Sequence, residues 1–537
     1  MSYEQFSNRD LFAQLALAQI PKVLTLLDRN PHSPTYGCFD RNFWHYKIID
    51  FPSGMAQEFV WPVALAWDTD VRDNPFYRQA AICDWVEAGI LYAAKSAHPD
   101  GSCDDYFPYE RAAGAAAFSL LACVESYKLL KLNNPVALEF FARRASWLAE
   151  HHESGRLTNH QALIVLCLEL LSELLGTSQW DKAKALRLER VLDWQNQEGW
   201  FQEYEGCDPG YHTLTISCLA RIYQLRAEIR LKEALSKAVE LAAYFVHPDG
   251  SYGGEYTSRN TYNFFPHGFE LVGQWLPEAL AINDRFLAGL AKGLAPCYAD
   301  DHIIGHHTWN YLLAWRDFVS DNRPSLSPRP DGRIWLKEAQ ILIDRRQGVE
   351  LYLALNKGGT FKLFRNQQLV VSDTQFSVQV NAGDKIKNAV GHLIDRYSVE
   401  VDDDQIVIQG KLGWAKQKQM TPANLIILRV VMLTVGRFFP NLIRKLLQKI
   451  LITGKTKAPF SFRRQLQWQD GQWVITDQLR TKSWQNVISA GIGCDQTSIY
   501  VVMSRTFQVG QLQPWFELTD EVKKLSAGQV LQLERKF

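Results

Sequence analysis

Residues 98–102 read HPDGS, residues 247–251 read HPDGS again, and residues 196–200 (NQEGW) are a looser copy. Further glycine turns at Gly37 and Gly155 fall between apolar segments, so that successive turns are 44 to 64 residues apart. A unit of about fifty residues is the length of one helical hairpin with its loop, and repeated hairpins stack into a solenoid or close into a ring. The repeat therefore predicts an α/α toroid whose loops gather on one face, with a plain helical solenoid as the alternative.

The pattern of apolar residues changes near position 322. Before it, apolar residues recur at helical spacing, which predicts a helical toroid domain over 1–322, an incomplete ring of hairpins. The predicted helices include residues 11–28, 112–130 and 211–225. A proline-rich linker at 323–332 ends this pattern, and alternating residues with tight turns then predict an antiparallel, sandwich-like β-sheet domain over 333–537. The expected fold class is α+β, multidomain.

The composition narrows the function classes. Lys+Arg and Asp+Glu both number 58, so nothing in the overall charge favours nucleic acid as a partner. The 17 Trp in a chain with 12% aromatic residues fit sugar binding and fit an aromatic core equally well. The nine Cys include no CxxC pair, which predicts buried free thiols. The polar start MSYEQFSNRD predicts no signal peptide and a cytoplasmic protein.

A basic helical insertion, residues 421–452, interrupts the sheet domain. It carries Arg429, Arg437, Arg444, Lys445 and Lys449 and no acidic residue. The charges interrupt the apolar pattern too often for a spanning helix, which needs about 20 apolar residues. Two interpretations remain: an amphipathic hairpin in peripheral contact with the anionic inner membrane, or an insertion packed on the neighbouring domain with a solvated basic edge.

Two polar pairs each open an apolar helix, Asn159-His160 and, after a DPG turn, Tyr211-His212. Tyr and His exchange protons, while Asn and His stabilise a developing negative charge. We therefore predict Tyr211, His160, Asn159 and His212 as the catalytic residues of one pocket. The plainer interpretation is that Asn159 caps a helix and that Tyr211-His212 packs a turn.

With a toroid followed by a sheet domain, these pairs resemble the heparinase II/III and alginate-lyase group of polysaccharide lyases. In that group an Asn-His pair opens one toroid helix and a Ser-Pro-x-Tyr-His loop further along carries the catalytic Tyr. Here Asp208-Pro209-Gly210-Tyr211-His212 matches except for Asp208 at the Ser position. The resemblance implies β-elimination on a uronate-containing glycan, with Asn159 and His160 stabilising the acidic group and Tyr211 transferring protons.

Active members of that group add a base from an H-x-H-x-D-x-N-like stretch of the sheet domain, which also helps to bind metal. This chain has no such stretch. A lone His is more often structural, so His306, His307 and His392 are weak candidates for the missing base. We therefore predict no metal and no other cofactor.

Loop residues near the glycine turns are the predicted substrate-binding residues, because polar and aromatic groups there would face the same funnel. Arg side chains among them suit an anionic sugar. The predicted set is Arg41, His45, Tyr106, Tyr109, Glu110, Arg111, Glu205, Glu255, Tyr256, Arg259, Asn260 and His267. The alternative is that they form ion pairs that seal the ring, such as Glu110 with Arg259.

Three functions are compatible with these residues. The first is a lyase-like enzyme that acts on an acidic polysaccharide or oligosaccharide. The second is a toroidal glycoside hydrolase that uses two carboxylates. Its candidate carboxylates are Asp105, Glu110, Glu205, Asp208 and Glu255. The third is a non-catalytic glycan-binding or scaffold protein of polysaccharide assembly at the inner membrane.

Overall fold

Helices form the first part of the chain and strands the second, as the computed structural model shows. It describes residues 8–153, 155–203, 206–296, 303–383, 385–394, 396–415, 419–448, 455–494 and 506–537. The change from helices to strands falls between Arg316 and Gly332. The domain boundaries at residues 322 and 333 stay a prediction.

A ring of inner helices forms the centre of the helical part. Within the described ranges these are α4 (Val60–Asp68), α6 (Ala113–Leu129), α8 (Thr158–Leu175), α10 (Pro209–Leu225), α12 (His267–Gly273) and α14 (Ile304–Arg316). Each contacts the next, and α14 contacts α4. The predicted α/α toroid is thus confirmed, and these helices close the ring that the sequence pattern predicts to be incomplete.

A second layer of helices surrounds the ring. It consists of α1 (Asn8–Leu17), α2 (Ile20–Leu26), α5 (Ala80–Ser96), α7 (Pro135–Glu150), α9 (Asp181–Asp193), α11 (Ile229–Tyr244) and α13 (Glu278–Ala291), while a short α3 (Arg41–Trp44) lies in a loop. The inner helix α6 is buried on all sides, whereas the outer helix α11 buries a stripe that includes Leu231, Leu235 and Leu241. A helix that is apolar all round belongs inside two layers, and an amphipathic one belongs at the surface.

The repeated HPDGS sequence forms the same turn twice. In both copies the His N–H donates to the Ser carbonyl and the Gly N–H donates to the His carbonyl. Gly101 has a φ of +89° and Gly250 a φ of +96°. A Cβ on Gly250 would lie 2.6 Å from the backbone of Gly289 on the next outer helix. Glycine is needed here because the turn has a positive φ and because two backbones touch.

Two short strands in the toroid, β1 (Gln202–Glu203) and β2 (Gly206–Cys207), pair with each other. A sandwich of two antiparallel sheets follows the toroid. The first has the strand order β3 (Gly332–Leu336), β4 (Ile341–Arg346), β5 (Val349–Ala354), β6 (Phe361–Arg365) and β7 (Gln368–Asp373). The second has the order β15 (Phe516–Glu517), β14 (Val487–Ile492), β8 (Phe376–Ala382), β9 (Lys385–Val390), β11 (Gln405–Trp414), β12 (Lys457–Gln469), β13 (Gln472–Thr481) and β16 (Val530–Lys536), with β10 (Ser398–Val401) on β11.

The first sheet has two buried faces. One packs on the second sheet, where Leu351 and Leu363 join the same core as Ile408 and Ile475. The other joins the core of the toroid through residues that include Tyr352 and Phe364. Strand β5 accordingly buries five of its six residues, as expected for a central strand that is covered on both sides. This contact brings the sheet domain against the loops of the ring.

The basic insertion forms two helices, α15 (Pro422–Val431) and α16 (Pro440–Gln448), joined by a π-helical turn at Met432–Gly436. None of the described helices is both long and apolar enough to cross a membrane. A last short helix, α17 (Thr519–Lys523), lies near the end of the chain. The eight cysteines in the described ranges form no disulfide, and six of them are buried.

We expect Gly250→Ala to lower the free energy of unfolding by about 3 kcal/mol or more, because a strained φ is combined with a backbone clash. Gly176→Ala is the matched control. Gly176 also has a positive φ, +62°, but its Cβ would meet nothing within 4 Å, so that about 1 kcal/mol should be lost. Urea denaturation followed by tryptophan fluorescence measures both variants. Equal losses of unfolding free energy in the two variants would contradict the requirement for glycine at position 250.

Candidate functional site

The candidate site starts where α8 and α10 begin, side by side in the ring. Asn159 is the second residue of α8, and its backbone N–H donates to Oε1 of Glu203 at 2.9 Å. Glu203 belongs to a short strand, β1 (Gln202–Glu203), which pairs with β2 (Gly206–Cys207) and bridges Leu157. The loop before α10 therefore places a buried carboxylate at the N-terminus of α8, where the helix dipole favours negative charge.

Arg259 connects this carboxylate to Tyr211. Its Nη1 lies 3.2 Å from Oε2 of Glu203, and its guanidinium carbon lies 4.0 Å from the centre of the Tyr211 ring. We call Asn159, Glu203, Arg259 and Tyr211 the Arg259 cluster. Its members are strongly buried, with 0%, 0%, 5% and 7% of their surfaces exposed.

The side chain of Asp208 fixes the two segments that meet in this cluster. One carboxylate oxygen accepts a hydrogen bond from the backbone N–H of Tyr211 and thereby caps α10. The same oxygen accepts the hydroxyl of Thr261. The other accepts the N–H of Arg259 at 3.2 Å. Gly210 leaves the necessary room, since a Cβ there would lie 2.2 Å from the Thr261 hydroxyl.

Burial raises the pKa of the Glu203 carboxyl, and the charge of Arg259 opposes this shift together with hydrogen bonds from Asn159. Desolvation disfavours the carboxylate form, whereas a neighbouring guanidinium favours it. The protonation of Glu203 is thus coupled to the Arg259 charge. A group that binds Arg259 in place of Glu203 would compete with this carboxylate.

Two histidine–carboxylate pairs lie on either side of Phe118. The Nδ1 atom of His160 lies 2.7 Å from a Glu153 oxygen, and that of His306 lies 2.6 Å from a Glu58 oxygen. Phe118 stacks on His306 at 4.0 Å and meets His160 edge-on at 6.5 Å. Within the part of the chain that the structure describes, the Nε2 atoms of both rings make no hydrogen bond. Each pair has the form of a carboxylate that orients a proton-transferring imidazole.

The sheet domain holds the loop that carries Arg259. Lys357, in the turn after β5, donates to the carbonyls of Glu255 and Thr257 and to the Asn260 side chain. Lys362 of β6 forms an ion pair with the Glu255 carboxylate at 3.2 Å. Two lysines of the second domain thus determine where a loop of the first domain lies.

The structure brings together Asn159, Tyr211 and Arg259 of the predicted site residues, with His160 next to Asn159 in the chain. His212 lies elsewhere. Its Nε2 is 2.8 Å from the Ala238 carbonyl on α11, and burial lowers its pKa to about 4. Consecutive helical residues point about 100° apart, so Tyr211 and His212 do not face the same space. The expectation that both face one pocket is therefore wrong.

Other predicted residues of the second HPDGS loop have structural partners. The Tyr256 hydroxyl lies 3.0 Å from the His247 ring, and His267 pairs with Asp317 at 2.8 Å. Burial lowers the pKa of His267 to about 4. Glu255 and Asn260 contact the sheet-domain lysines. Of this group, Arg259 alone belongs to the Arg259 cluster.

The residues predicted near the first HPDGS loop hold that loop together. Glu110 accepts the N–H groups of Asp105 and Tyr106, Arg111 pairs with Asp100, and Tyr109 stacks on His98. The suggested ion pair of Glu110 with Arg259 is not formed, because Arg259 pairs with Glu203.

The remaining predicted residues lie apart from the cluster or outside the described ranges. Tyr106 is exposed, as is His45, while Arg41 lies over the Tyr46 ring. Glu205 lies outside the described residues.

Sequence reasoning missed Glu203, Glu58 and Glu153 as members of the site. The sequence pattern could have predicted that Glu203 is buried, because it stands two residues after Phe201 and strand alternation puts both side chains on the buried side. No such pattern marked Glu58, since its partner His306 is 248 residues away.

Within the described ranges, no group of three or more His, Cys, Asp or Glu side chains could hold a metal ion. His392, the isolated histidine of the sheet domain, lies near the carbonyl of Thr374, and burial lowers its pKa to about 4. His307 stacks on Phe265 in the ring. The absence of metal and other cofactors stays a prediction.

No known family matches the sequence, and no curated protein matches it significantly. By structure the chain is similar to a Paenibacillus xanthan lyase, with a TM-score of 0.53 and 9% identity over 90% of this chain and 46% of that one. It is also similar to a Streptomyces coelicolor chondroitin AC lyase, with a TM-score of 0.50 and 9% identity over 100% of this chain and 78% of the other.

The chain thus spans about half the length of the xanthan lyase. A heparinase III gives a TM-score of 0.48 at 11% identity over 80% of this chain and 63% of that one. The first two comparisons show that this protein has the fold of the α/α-toroid polysaccharide lyases, a toroid followed by a β domain. The resemblance stated from the sequence is confirmed at the level of the fold.

We expect Lys357→Met to destabilise the protein by about 2–4 kcal/mol, since it leaves three buried acceptors without their donor. Cleavage by thermolysin within residues 255–261 should accelerate relative to the wild type. Lys385→Met, at an exposed strand position, is the control and should change neither measurement. Unchanged cleavage in Lys357→Met would show that the loop does not depend on this lysine.

Stability should fall as the pH is lowered from about 6.5 to about 4, because His212 stays neutral in the folded protein while the unfolded chain takes up the proton. Its folded pKa lies below the ordinary value of 6.5, so this contribution is complete above pH 6.5 and is lost below it. The variant His212→Gln keeps an N–H donor for the Ala238 carbonyl but has no group that titrates in this pH range. Between pH 7.5 and pH 5 the wild type should lose about 2 kcal/mol more than this variant, measured by urea denaturation. Equal losses would refute the assignment.

Proposed function

We propose that this protein is a polysaccharide-lyase-like enzyme that cleaves an acidic, uronate-containing polysaccharide by β-elimination. The observation that carries the proposal is the position of the Arg259 guanidinium, between the Tyr211 ring and the Glu203 carboxylate, beside Asn159. The chemistry requires one proton-transferring group next to donors that offset the charge of a uronate, and this cluster contains both.

In the proposed reaction, the uronate carboxylate binds at the Arg259 guanidinium and at the side-chain amide of Asn159. There it competes with the Glu203 carboxylate for Arg259. Its charge is then offset, which makes the neighbouring C5 proton more acidic. Tyr211, acting as the phenolate, takes that proton on its oxygen and becomes a neutral phenol, the C–H electrons form a C4=C5 double bond, and the bond from C4 to the glycosidic oxygen breaks. The leaving oxygen then receives a proton from Tyr211 or from His160.

The geometry supports distinct roles for these groups. The Arg259 charge, stacked on the Tyr211 ring, stabilises negative charge on the phenol oxygen. The Glu153 carboxylate orients His160 through Nδ1, which leaves Nε2 for the substrate. Burial raises the pKa of the Glu203 carboxyl while the Arg259 charge opposes that shift, so a substrate carboxylate that binds Arg259 competes with this ion pair.

A second candidate function is a non-catalytic glycan-binding or scaffold protein. The strong burial of Asn159, Arg259 and Tyr211 favours it, because little of the cluster is open to a sugar. Such a protein would bind a uronate polymer without cleaving it, through exposed loop residues such as Tyr106 and His45.

The hydrolase alternative has less support. Asp208 and Glu110 accept several hydrogen bonds from their own loops, Glu255 pairs with Lys362, and Asp105 accepts the Ser53 hydroxyl. Carboxylates held in this way are poorly placed to attack a sugar or to protonate a leaving group.

The decisive experiment incubates the purified protein with a panel of uronate polymers and follows the ultraviolet absorbance of the unsaturated product. We expect activity on at least one polymer, and Tyr211→Phe should lower it by about 10³-fold because the proton-transferring group is lost. Asn159→Ala should lower it by about 10²-fold through the loss of charge stabilisation. The control is Tyr223→Phe, a hydroxyl deletion further along the same helix, and it should retain wild-type activity.

Other outcomes decide between the alternatives. Release of reducing ends without the ultraviolet signal would favour hydrolysis and contradict elimination. Retention of a polymer on an affinity column with neither signal would favour the scaffold. Wild-type activity in Tyr211→Phe would remove Tyr211 from the reaction.

A further inference from the structure

The helical insertion of the sheet domain presents an exposed apolar surface. No residue of α15 is buried. The interpretation as an insertion packed on its neighbour therefore does not account for the exposed apolar side chains of this helix. We call the exposed apolar side chains of residues 420–446 the hairpin patch. Its most exposed members, 53–66% accessible, include Ile426, Ile427, Phe438, Phe439, Leu442 and Leu446.

The charge around the hairpin patch has one sign. Between positions 405 and 469 the chain has twelve lysine or arginine residues and no aspartate or glutamate. Arg437 and Lys445 are exposed among the apolar residues of the patch. In a chain with equal numbers of acidic and basic residues, this segregation is local. Apolar side chains combined with basic ones complement an anionic lipid surface.

The hairpin is attached to the face of the ring that carries the candidate site. Arg429 of α15 pairs with Asp50 at 3.0 Å and lies over the Phe51 ring. These residues belong to the loop before α4, whose Ser53 donates to Asp105 in the neighbouring loop. Tyr46 and Ile48 of the same loop are 55% and 72% exposed. The apolar surface thus extends onto the loop before α4, at the side of the ring where that inner helix begins.

We propose that the hairpin patch docks this protein on an anionic lipid bilayer, with α15 and α16 lying in the plane of the membrane interface. Apolar side chains enter the boundary between headgroups and acyl chains, and the basic side chains contact anionic headgroups. Docking through this surface holds the site-bearing face of the ring beside the bilayer. The proposal does not depend on catalysis, because it concerns only the hairpin and the loop that carries it.

The same charges disfavour a second copy of this chain as the occupant of the patch. A symmetric pair would bring the basic residues of both hairpins together with no acid on either hairpin to neutralise them, and like charges in contact are repulsive. A bilayer that contains anionic lipid supplies the missing negative charge and the apolar phase together.

The test is co-sedimentation of the full chain with vesicles of phosphatidylcholine that contain about one third phosphatidylglycerol. We expect binding to these vesicles, much weaker binding to pure phosphatidylcholine, and a loss of binding at high salt. The double variant Arg437→Glu, Lys445→Glu should bind at least about tenfold more weakly, because each basic residue near an anionic surface contributes several-fold. Phe438→Ser with Phe439→Ser should weaken binding by a similar factor through the loss of buried apolar area.

The matched controls repeat these changes elsewhere on the surface. Lys385→Glu with Lys524→Glu makes the same change in charge at exposed positions of the sheet domain, and Ile229→Ser removes an exposed apolar residue of the toroid. Both should bind like the wild type. Unchanged thermal melts would show that the hairpin variants are folded, as expected from the exposure of the side chains they replace.

Three results would overturn the proposal. The first is failure of the wild type to bind anionic vesicles, and the second is binding of the hairpin variants that equals that of the wild type. The third is a dimer that is lost in the Phe438→Ser, Phe439→Ser variant while no vesicle binding is seen, which would assign the surface to a second copy of the chain.

Discussion

The carboxylate of Asp208 is the group on which the candidate site depends. It accepts hydrogen bonds from Tyr211 at the start of α10 and from Arg259 and Thr261 in a loop fifty residues further along. Its two oxygens serve two segments at once. A serine, which the resembled lyase loop has at this position, offers a single oxygen and would hold these segments together less completely. The Asp at this position, which departs from the lyase pattern, thus has the second oxygen that binds the backbone of Arg259.

The second domain completes this arrangement. The Arg259 loop is long and has little regular structure of its own, and the buried ammonium group of Lys357 satisfies two of its carbonyls. Backbone acceptors that are buried without a donor are costly, so the docking of the sheet domain and the shape of the loop are coupled. The toroid provides the helix N-termini at which the site lies, and the sheet domain holds the loop that carries Arg259 in place.

The helices and their order could be predicted from the sequence, because apolar spacing and glycine turns are local signals. The prediction of one helix over residues 11–28 was wrong in detail, since the chain forms α1 and α2, with Pro21 in the first turn of α2. Proline lacks the N–H that a continuous helix needs. Asn159 and Tyr211 were found because they begin helices. Glu203 was missed although its position two residues after Phe201 marked it as buried, whereas Glu58 was missed because its partner His306 comes from a distant part of the chain.

The HPDGS repeat is a local sequence feature, and local features determined the elements of this protein but not the contacts between them. By itself the sequence determined a toroid of hairpins, a following sheet domain and a basic apolar insertion, because periodicity, turn residues and charge act over a few neighbouring positions. Only the tertiary structure decided which side chains meet. It closed the ring, turned His212 toward α11 and away from Tyr211, and placed Arg259 between two groups from other segments. Those choices depend on packing between residues far apart in the chain, and no local pattern encodes them.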